Sequence, residues 1–221
     1  MKIENNILKH YLKNVYFITG TAYAGKSTTV RMLADRYNMV FCGENYHSVV
    51  SDIVATPDVQ PDICYLKSLT DWKEFVTRSP EEYERWIFSV GREAAEFEIA
   101  ELISISREKK VIVDTNIPLD VLKEISDYHH VAVMLSPQSM SVERFFDRSD
   151  PDKLFILNTI ESCDDPKTVM ENYRSGLTLI NSKEHYDEFA KSGFFTVVRE
   201  DTEKDTREEV CDIIAKHFGL Y

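Results

Sequence analysis

The stretch that most constrains the fold is VYFITGTAYAGKSTTV, residues 15–30. A run of bulky apolar residues, Val15 to Ile18, leads into G-x-x-x-x-G-K-S from Gly20 to Ser27, and then into residues at helical spacing, Val30, Leu33 and Tyr37. A strand, a glycine-bearing loop and a helix in that order make a cradle for phosphate. Gly20 and Gly25 let the backbone curl so that successive N–H groups face inward, and a helix starting near Lys26 adds the positive end of its dipole. The expected phosphate contacts are Gly20, Thr21, Ala22, Tyr23, Ala24, Gly25, Lys26, Ser27 and Thr28. Lys26 is expected to reach the β- and γ-phosphates, and the Ser27 hydroxyl to hold Mg²⁺. The pattern thus predicts ATP or GTP with magnesium as the bound species.

Four more apolar runs rich in Val, Ile and Phe read as buried strands: 39–42, 111–113, 131–135 and 194–198, after the first at 15–19. Helical patterns lie between them. The longest is expected from Ser79 to about Arg107; it opens on SPEE, a Ser cap with Pro and two Glu in the first turn, and carries Trp86, Val90, Ala94, Phe97 and Glu101 down one side. Others are expected at 26–37, 118–128, 139–148, 166–191 and 206–218, the last ending on Gly219. The least regular stretches, 44–78 and 149–166, are expected to be mobile or to face substrate, since ligands of open parallel sheets bind beyond the carboxyl ends of the strands. Strands alternating with helices predict a parallel sheet covered on both faces with right-handed crossovers.

A chain of 221 residues with 43% hydrophobic content can bury one sizeable core, so a single domain over 1–221 is expected. Lys and Arg number 26 against 38 Asp and Glu, a net charge of −12 that repels a polyanion such as DNA; nucleic acid is not an expected partner. The opening MKIENNILKHYLKN lacks an apolar core and a small-residue cleavage site, and no later run is long enough to span a bilayer. A soluble, cytoplasmic protein without membrane contact, monomeric or homodimeric, is expected. Cys42, Cys64, Cys163 and Cys211 are scattered without C-x-x-C spacing and read as reduced thiols, mostly small core residues.

Beyond the loop, Val111-Ile112-Val113-Asp114 sets a carboxylate at the end of a strand, where it would bind Mg²⁺ directly or through water. Asn116 follows, either as a hydrogen-bonding partner of phosphate or substrate or as a turn residue. After the second strand, Glu44 is placed to orient an acceptor hydroxyl and take its proton; His47 is a weaker candidate for the same task. Arg144 and Arg148, four apart on an expected helix, could both approach a γ-phosphate, or could equally form an exposed ion-pair face with Glu143, Asp147 and Asp150. Arg92 could grip an anionic substrate group or pair with Glu96. Trp72, Phe75, Tyr83, Trp86 and Phe88 could line an acceptor pocket, although aromatic residues on helices more often build core.

GTAYAGKS, the VIVD of 111–114 and the basic segment after the fourth strand together resemble the small P-loop kinases of the nucleoside/nucleotide, shikimate and gluconate kinase group. The resemblance implies a three-layer P-loop NTPase fold, a five-stranded parallel sheet ordered 2-3-1-4-5. It also implies an acceptor-binding insertion and long helix within 44–107, and an arginine-bearing lid around 139–166. Carried onto this chain it gives Lys26 and Ser27 to phosphate and Mg²⁺, Arg144 and Arg148 to the lid, and Glu44 to the position of a catalytic base. There is no D-x-D after the second strand and no triple glycine after the third, which weighs against shikimate, and no clean nucleoside-kinase arginine pair follows Asp114.

The expected function is an ATP- and Mg²⁺-dependent phosphotransferase that moves the γ-phosphate to a small hydroxyl- or phosphate-bearing metabolite. The alternative is a nucleotide-binding switch or sensor with no acceptor. A GTPase switch would need an N-K-x-D guanine-reading segment, and Asn181-Ser182-Lys183-Glu184 does not match it.

Overall fold

The computed structural model describes residues 5–147, 151–200 and 204–221. In chain order the elements are α1 (Asn5–Tyr11), β1 (Val15–Gly20), α2 (Lys26–Tyr37), β2 (Val40–Cys42), α3 (Ser48–Val54), α4 (Pro61–Ser68), α5 (Lys73–Val76) and α6 (Pro80–Ile105). There follow β3 (Val111–Asp114), α7 (Leu119–Ile125), β4 (Val131–Leu135), α8 (Gln138–Glu143), α9 (Pro151–Glu161), α10 (Pro166–Ile180), α11 (Lys183–Ala190), β5 (Phe195–Val198) and α12 (Arg207–His217). The five strands are parallel in the order β2-β3-β1-β4-β5, as expected.

Alternation of side chains along the strands divides the core. Tyr16, Ile18, Ile112, Ala132 and Met134 point to one face, where Leu33 and Ala34 of α2 and Ile214 and Ala215 of α12 cover them. Val15, Phe17, Val111, Val113 and Val131 point to the other, under Leu122 and Ile125 of α7 and Ala95 and Leu102 of α6. The two edge strands are less buried than the runs suggested, since each is paired on one side only; Val198 is exposed.

α6 begins as its sequence predicts. The Ser79 hydroxyl accepts from the Glu82 N–H at 3.2 Å and the Glu82 carboxylate accepts from the Ser79 N–H at 3.0 Å, closing a capping box. Its buried stripe differs from the expected one. Tyr83, Trp86, Ala94, Ala95, Glu98 and Leu102 are buried, while Phe97 and Glu101 are only partly so. The helix changes neighbours along its length: its first turns pack in an aromatic cluster with Phe75, Tyr173 and Leu177, and its last turns pack on the sheet.

The stretches expected to be least regular hold short helices instead: α3, α4 and α5 in 44–78, and α9 in 149–166, with 148–150 outside the described residues. α9 is anchored by Ile160, 1% exposed, in the same aromatic cluster, so the segments 44–107 and 139–166 share one small core. The helical region expected at 166–191 holds two helices, separated at Asn181-Ser182, where the Ser182 hydroxyl accepts from the His185 N–H and caps α11. All four cysteines are free, three of them buried. No helix of the described residues is long and apolar enough to cross a membrane.

Candidate functional site

The loop between β1 and α2 is fixed by its backbone requirements. Gly20 has φ +129°, and a Cβ there would lie 1.9 Å from the Met134 carbonyl oxygen, so β1 and β4 can close together only with glycine at this position. Gly25 sits at φ +91° as the residue before the first turn of α2, and Tyr23 adopts φ +65° despite its side chain. The loop carbonyls are held by neighbours. Ala22 O accepts from the Ser136 hydroxyl at 2.6 Å and the Ser141 hydroxyl at 3.0 Å, and Tyr23 O accepts from Arg199 Nη1 at 2.8 Å. The first N–H groups of α2, on Lys26, Ser27 and Thr28, have no partner within the helix and point out of its positive end.

The sequence-predicted charges converge on this helix end. Lys26 Nζ donates to Thr21 O at 3.2 Å, which folds the ammonium back over the loop. The Ser27 hydroxyl donates to Asp114 Oδ2 at 2.6 Å. Asp114 is fully buried and its Oδ1 has no partner. Burial pushes its carboxyl above the usual carboxylate range and Glu44 adds to this, against the pull of Lys26 and the Ser27 bond. Asn116 Nδ2 donates to Glu44 Oε1 at 2.7 Å, so the ends of β2 and β3 are tied together by the two residues expected to face the acceptor.

A cavity of about 1540 Å³ runs from the loop to α6. Gly20, Thr21, Ala22, Tyr23, Gly25, Lys26, Ser27 and Thr28 line one end, with Glu44, Arg92 and Asn116 beyond them. Ala24 does not line it; the side chain is buried in the core between sheet and α2. Asp114 lies behind Ser27 and also does not line it. Arg92 pairs with Asp120 of α7 through two bonds of 3.2 and 3.3 Å rather than with Glu96. Arg144 corrects the expectation of a shared helix face: α8 stops at Glu143, Arg144 caps it, and it does not line the cavity. Arg148 lies outside the described residues. His47 is buried at the head of α3, lines the cavity, and has its basicity lowered by burial. Of the aromatic set, Phe75 and Trp86 are core, Tyr83 is both buried and on the cavity wall, and the exposed Phe88 lies with its ring 4.3 Å from that of His185.

Two cavity residues that the sequence reading does not single out bear on the chemistry. Lys153 of α9 sits 5.5 Å from the Tyr23 ring and 5.1 Å from the Phe145 ring, which brings a cation of α9 to the loop. Glu98 is a carboxyl inside the buried stripe of α6. The available signal was its spacing: Ala94, Glu98 and Leu102 are four apart, so the glutamate shares a face with two residues that pack inward.

No protein-family model matches the chain, and no curated protein matches it. A solved structure of an uncharacterized protein from Eubacterium ventriosum is similar over 94% of this chain and 98% of that chain, with 13% sequence identity and a TM-score of 0.40.

Proposed function

We propose that the protein is an ATP- and Mg²⁺-dependent P-loop phosphotransferase acting on a small acceptor. The observation that carries the reading is the convergence, at the start of α2, of the Gly20–Ser27 loop, Lys26 and the Ser27–Asp114 pair. The residues fit a magnesium ion. Asp114 Oδ1 is a buried oxygen without a partner, beside a hydroxyl that already bonds the other oxygen. Ser27 and Asp114 would supply two protein oxygens, which suits Mg²⁺, an ion commonly held by one or two protein groups together with phosphate and water.

In this reading the loop N–H groups and the head of α2 bind the β- and γ-phosphates, and Lys26 exchanges its bond to Thr21 O for phosphate oxygens. Mg²⁺, when bound through Ser27 and Asp114, supplies neutralisation of phosphate charge. Asn116 orients Glu44, which takes the proton of the acceptor hydroxyl as its oxygen bonds to the γ-phosphorus. The bond from the γ-phosphorus to the bridging oxygen breaks, and its electron pair leaves with ADP. Lys153 faces the charge that spreads over the transferring group.

The cavity favours a kinase over a switch. Single-ligand sites occupy about 300–1,000 Å³, and about 1540 Å³ leaves room for an acceptor between the loop and α6. The test is ADP release from Mg-ATP against a panel of nucleosides, nucleoside monophosphates, sugar acids and hydroxylated antibiotics. One acceptor that stimulates turnover in the wild type and not in Lys26→Ala is the expected result. A flat panel with tight nucleotide binding would favour the sensor.

A further inference from the structure

Beyond the loop, the cavity wall is a face of α6 made of Ile87, Val90, Gly91 and Ala94, and one turn further on stands Glu98. This residue is 1% exposed. Its Oε2 accepts from the Thr115 hydroxyl at 2.7 Å, and the Thr115 oxygen accepts from the Ile117 N–H at 3.0 Å, so the direction of the Thr115 hydrogen is fixed. The Tyr46 hydroxyl donates to the main-chain oxygen of Glu98 and does not serve its side chain. Oε1 is left buried without a partner. Packing alone does not account for a carboxyl here, because Leu102 fills the equivalent place one turn on.

The surroundings restrict what could complete it. The groups whose charge acts on Glu98 or on Tyr46 beside it are Asp114 at the end of β3, Glu44 after β2, Cys42 of β2 and Glu101 on α6, while the basic Lys26, His47 and Arg92 line the same cavity. Three are acidic residues, so a carboxylate or phosphate of a ligand would be repelled. Burial, with those carboxylates adding to it, pushes Glu98 up to about 8, which leaves a neutral acid able to donate a hydrogen bond at neutral pH. The apolar wall of Ile87, Val90 and Ala94 disfavours burying an ammonium group beside it.

We propose that Glu98 recognises the acceptor: Oε1 exchanges a hydrogen bond with a non-reacting hydroxyl or amide of the acceptor, while Glu44 faces the hydroxyl that receives phosphate. The inference rests on the phosphotransfer reading and adds a substrate class, an uncharged hydroxylated molecule with an apolar face.

The experiment compares wild type, Glu98→Gln and Glu98→Ala. Acceptor probes are thymidine and inositol (uncharged), thymidine monophosphate and gluconate (anionic) and kanamycin (cationic), with Mg-ATP affinity measured separately by calorimetry. The expected result is turnover with an uncharged probe alone. Glu98→Ala then raises its KM about tenfold with kcat and Mg-ATP affinity within about twofold, a split that loss of folding would not produce. Glu98→Gln restores KM to within about threefold, because the amide offers a donor and an acceptor in the same place. Preference for an anionic or cationic probe, an unchanged KM in Glu98→Ala, or Mg-ATP binding with no probe used would each overturn the assignment. Failure of the wild type to bind Mg-ATP would instead overturn the phosphotransfer reading beneath it.

Discussion

The Ser27 hydroxyl and the Asp114 carboxylate, 87 positions apart in the chain, meet at 2.6 Å. The contact follows from the sheet. β1 and β3 are neighbours in register, with Ile18 opposite Asp114, so the first turn of α2 and the end of β3 emerge side by side. Asp114 keeps its second oxygen free of any partner.

If that pair holds Mg²⁺, Asp114→Asn keeps the hydrogen bond from Ser27 but loses the charge that binds the metal. The expected outcome is a requirement for Mg²⁺ raised about 10- to 100-fold, read by titrating Mg²⁺ against nucleotide turnover. An unchanged Mg²⁺ requirement would remove Asp114 from the metal site.

Glu44 and Asn116 make separable predictions. If Glu44 takes the acceptor's proton, Glu44→Gln removes that base but leaves an amide that Asn116 can still bond, so kcat should fall about 100-fold with nucleotide affinity unchanged. Asn116→Ala leaves the base in place without its guide, and should cost about tenfold. Equal losses in the two variants would mean that Glu44 acts only as a structural partner of Asn116.

Much of this arrangement is legible in the sequence, for stated physical reasons. A parallel sheet needs continuous apolar runs, and the runs at 15, 111 and 131 mark its three central strands to within a residue or two. The G-x-x-x-x-G-K-S loop fixes its own conformation through Gly20 and Gly25. Asp114 is legible as the carboxylate that ends the apolar run Val111–Val113. What could not be read depends on tertiary contact. Arg92 pairs with Asp120 of α7 and not with Glu96 on its own helix, a contact that depends on how α7 packs against α6. The spacing of Arg144 and Arg148 predicts a shared helix face, but α8 ends at Glu143. Glu98 looks like any surface glutamate until Thr115 and the sheet enclose it.

Enclosure of Glu98 has a consequence for stability in the metal-free protein. Its carboxyl, ordinarily near 4.5, is pushed up to about 8 by burial. Between those values the folded state holds a proton that the unfolded chain releases, so this group contributes full stability below about pH 4.5 and loses it as pH rises toward 8. Glu98→Gln lacks that slope. Denaturant melts should show the two proteins similar at about pH 5 and the variant ahead by on the order of 3 kcal/mol near pH 8. A gap that stays constant with pH would place Glu98 in a more solvated setting.

Gly20 tests the close contact of β1 with β4 independently of any activity. An alanine Cβ would sit 1.9 Å from the Met134 carbonyl oxygen at a φ of +129°. Gly20→Ala should therefore lose more than about 2 kcal/mol of folding stability in urea melts. A loss below about 0.5 kcal/mol would show that the strands can part there at little cost.

The most direct measurement is calorimetric titration of Mg-ATP into wild type and Lys26→Ala, each repeated with EDTA. Wild type should bind one nucleotide per chain. Lys26→Ala should bind at least about tenfold more weakly, since a charge-assisted contact to the phosphates is worth about 1.5–3 kcal/mol. EDTA should weaken the wild type as well, through the loss of the ion that Ser27 and Asp114 would hold. Equal affinity in the two proteins, or no binding by the wild type, would contradict a phosphate-holding role for the Gly20–Ser27 loop.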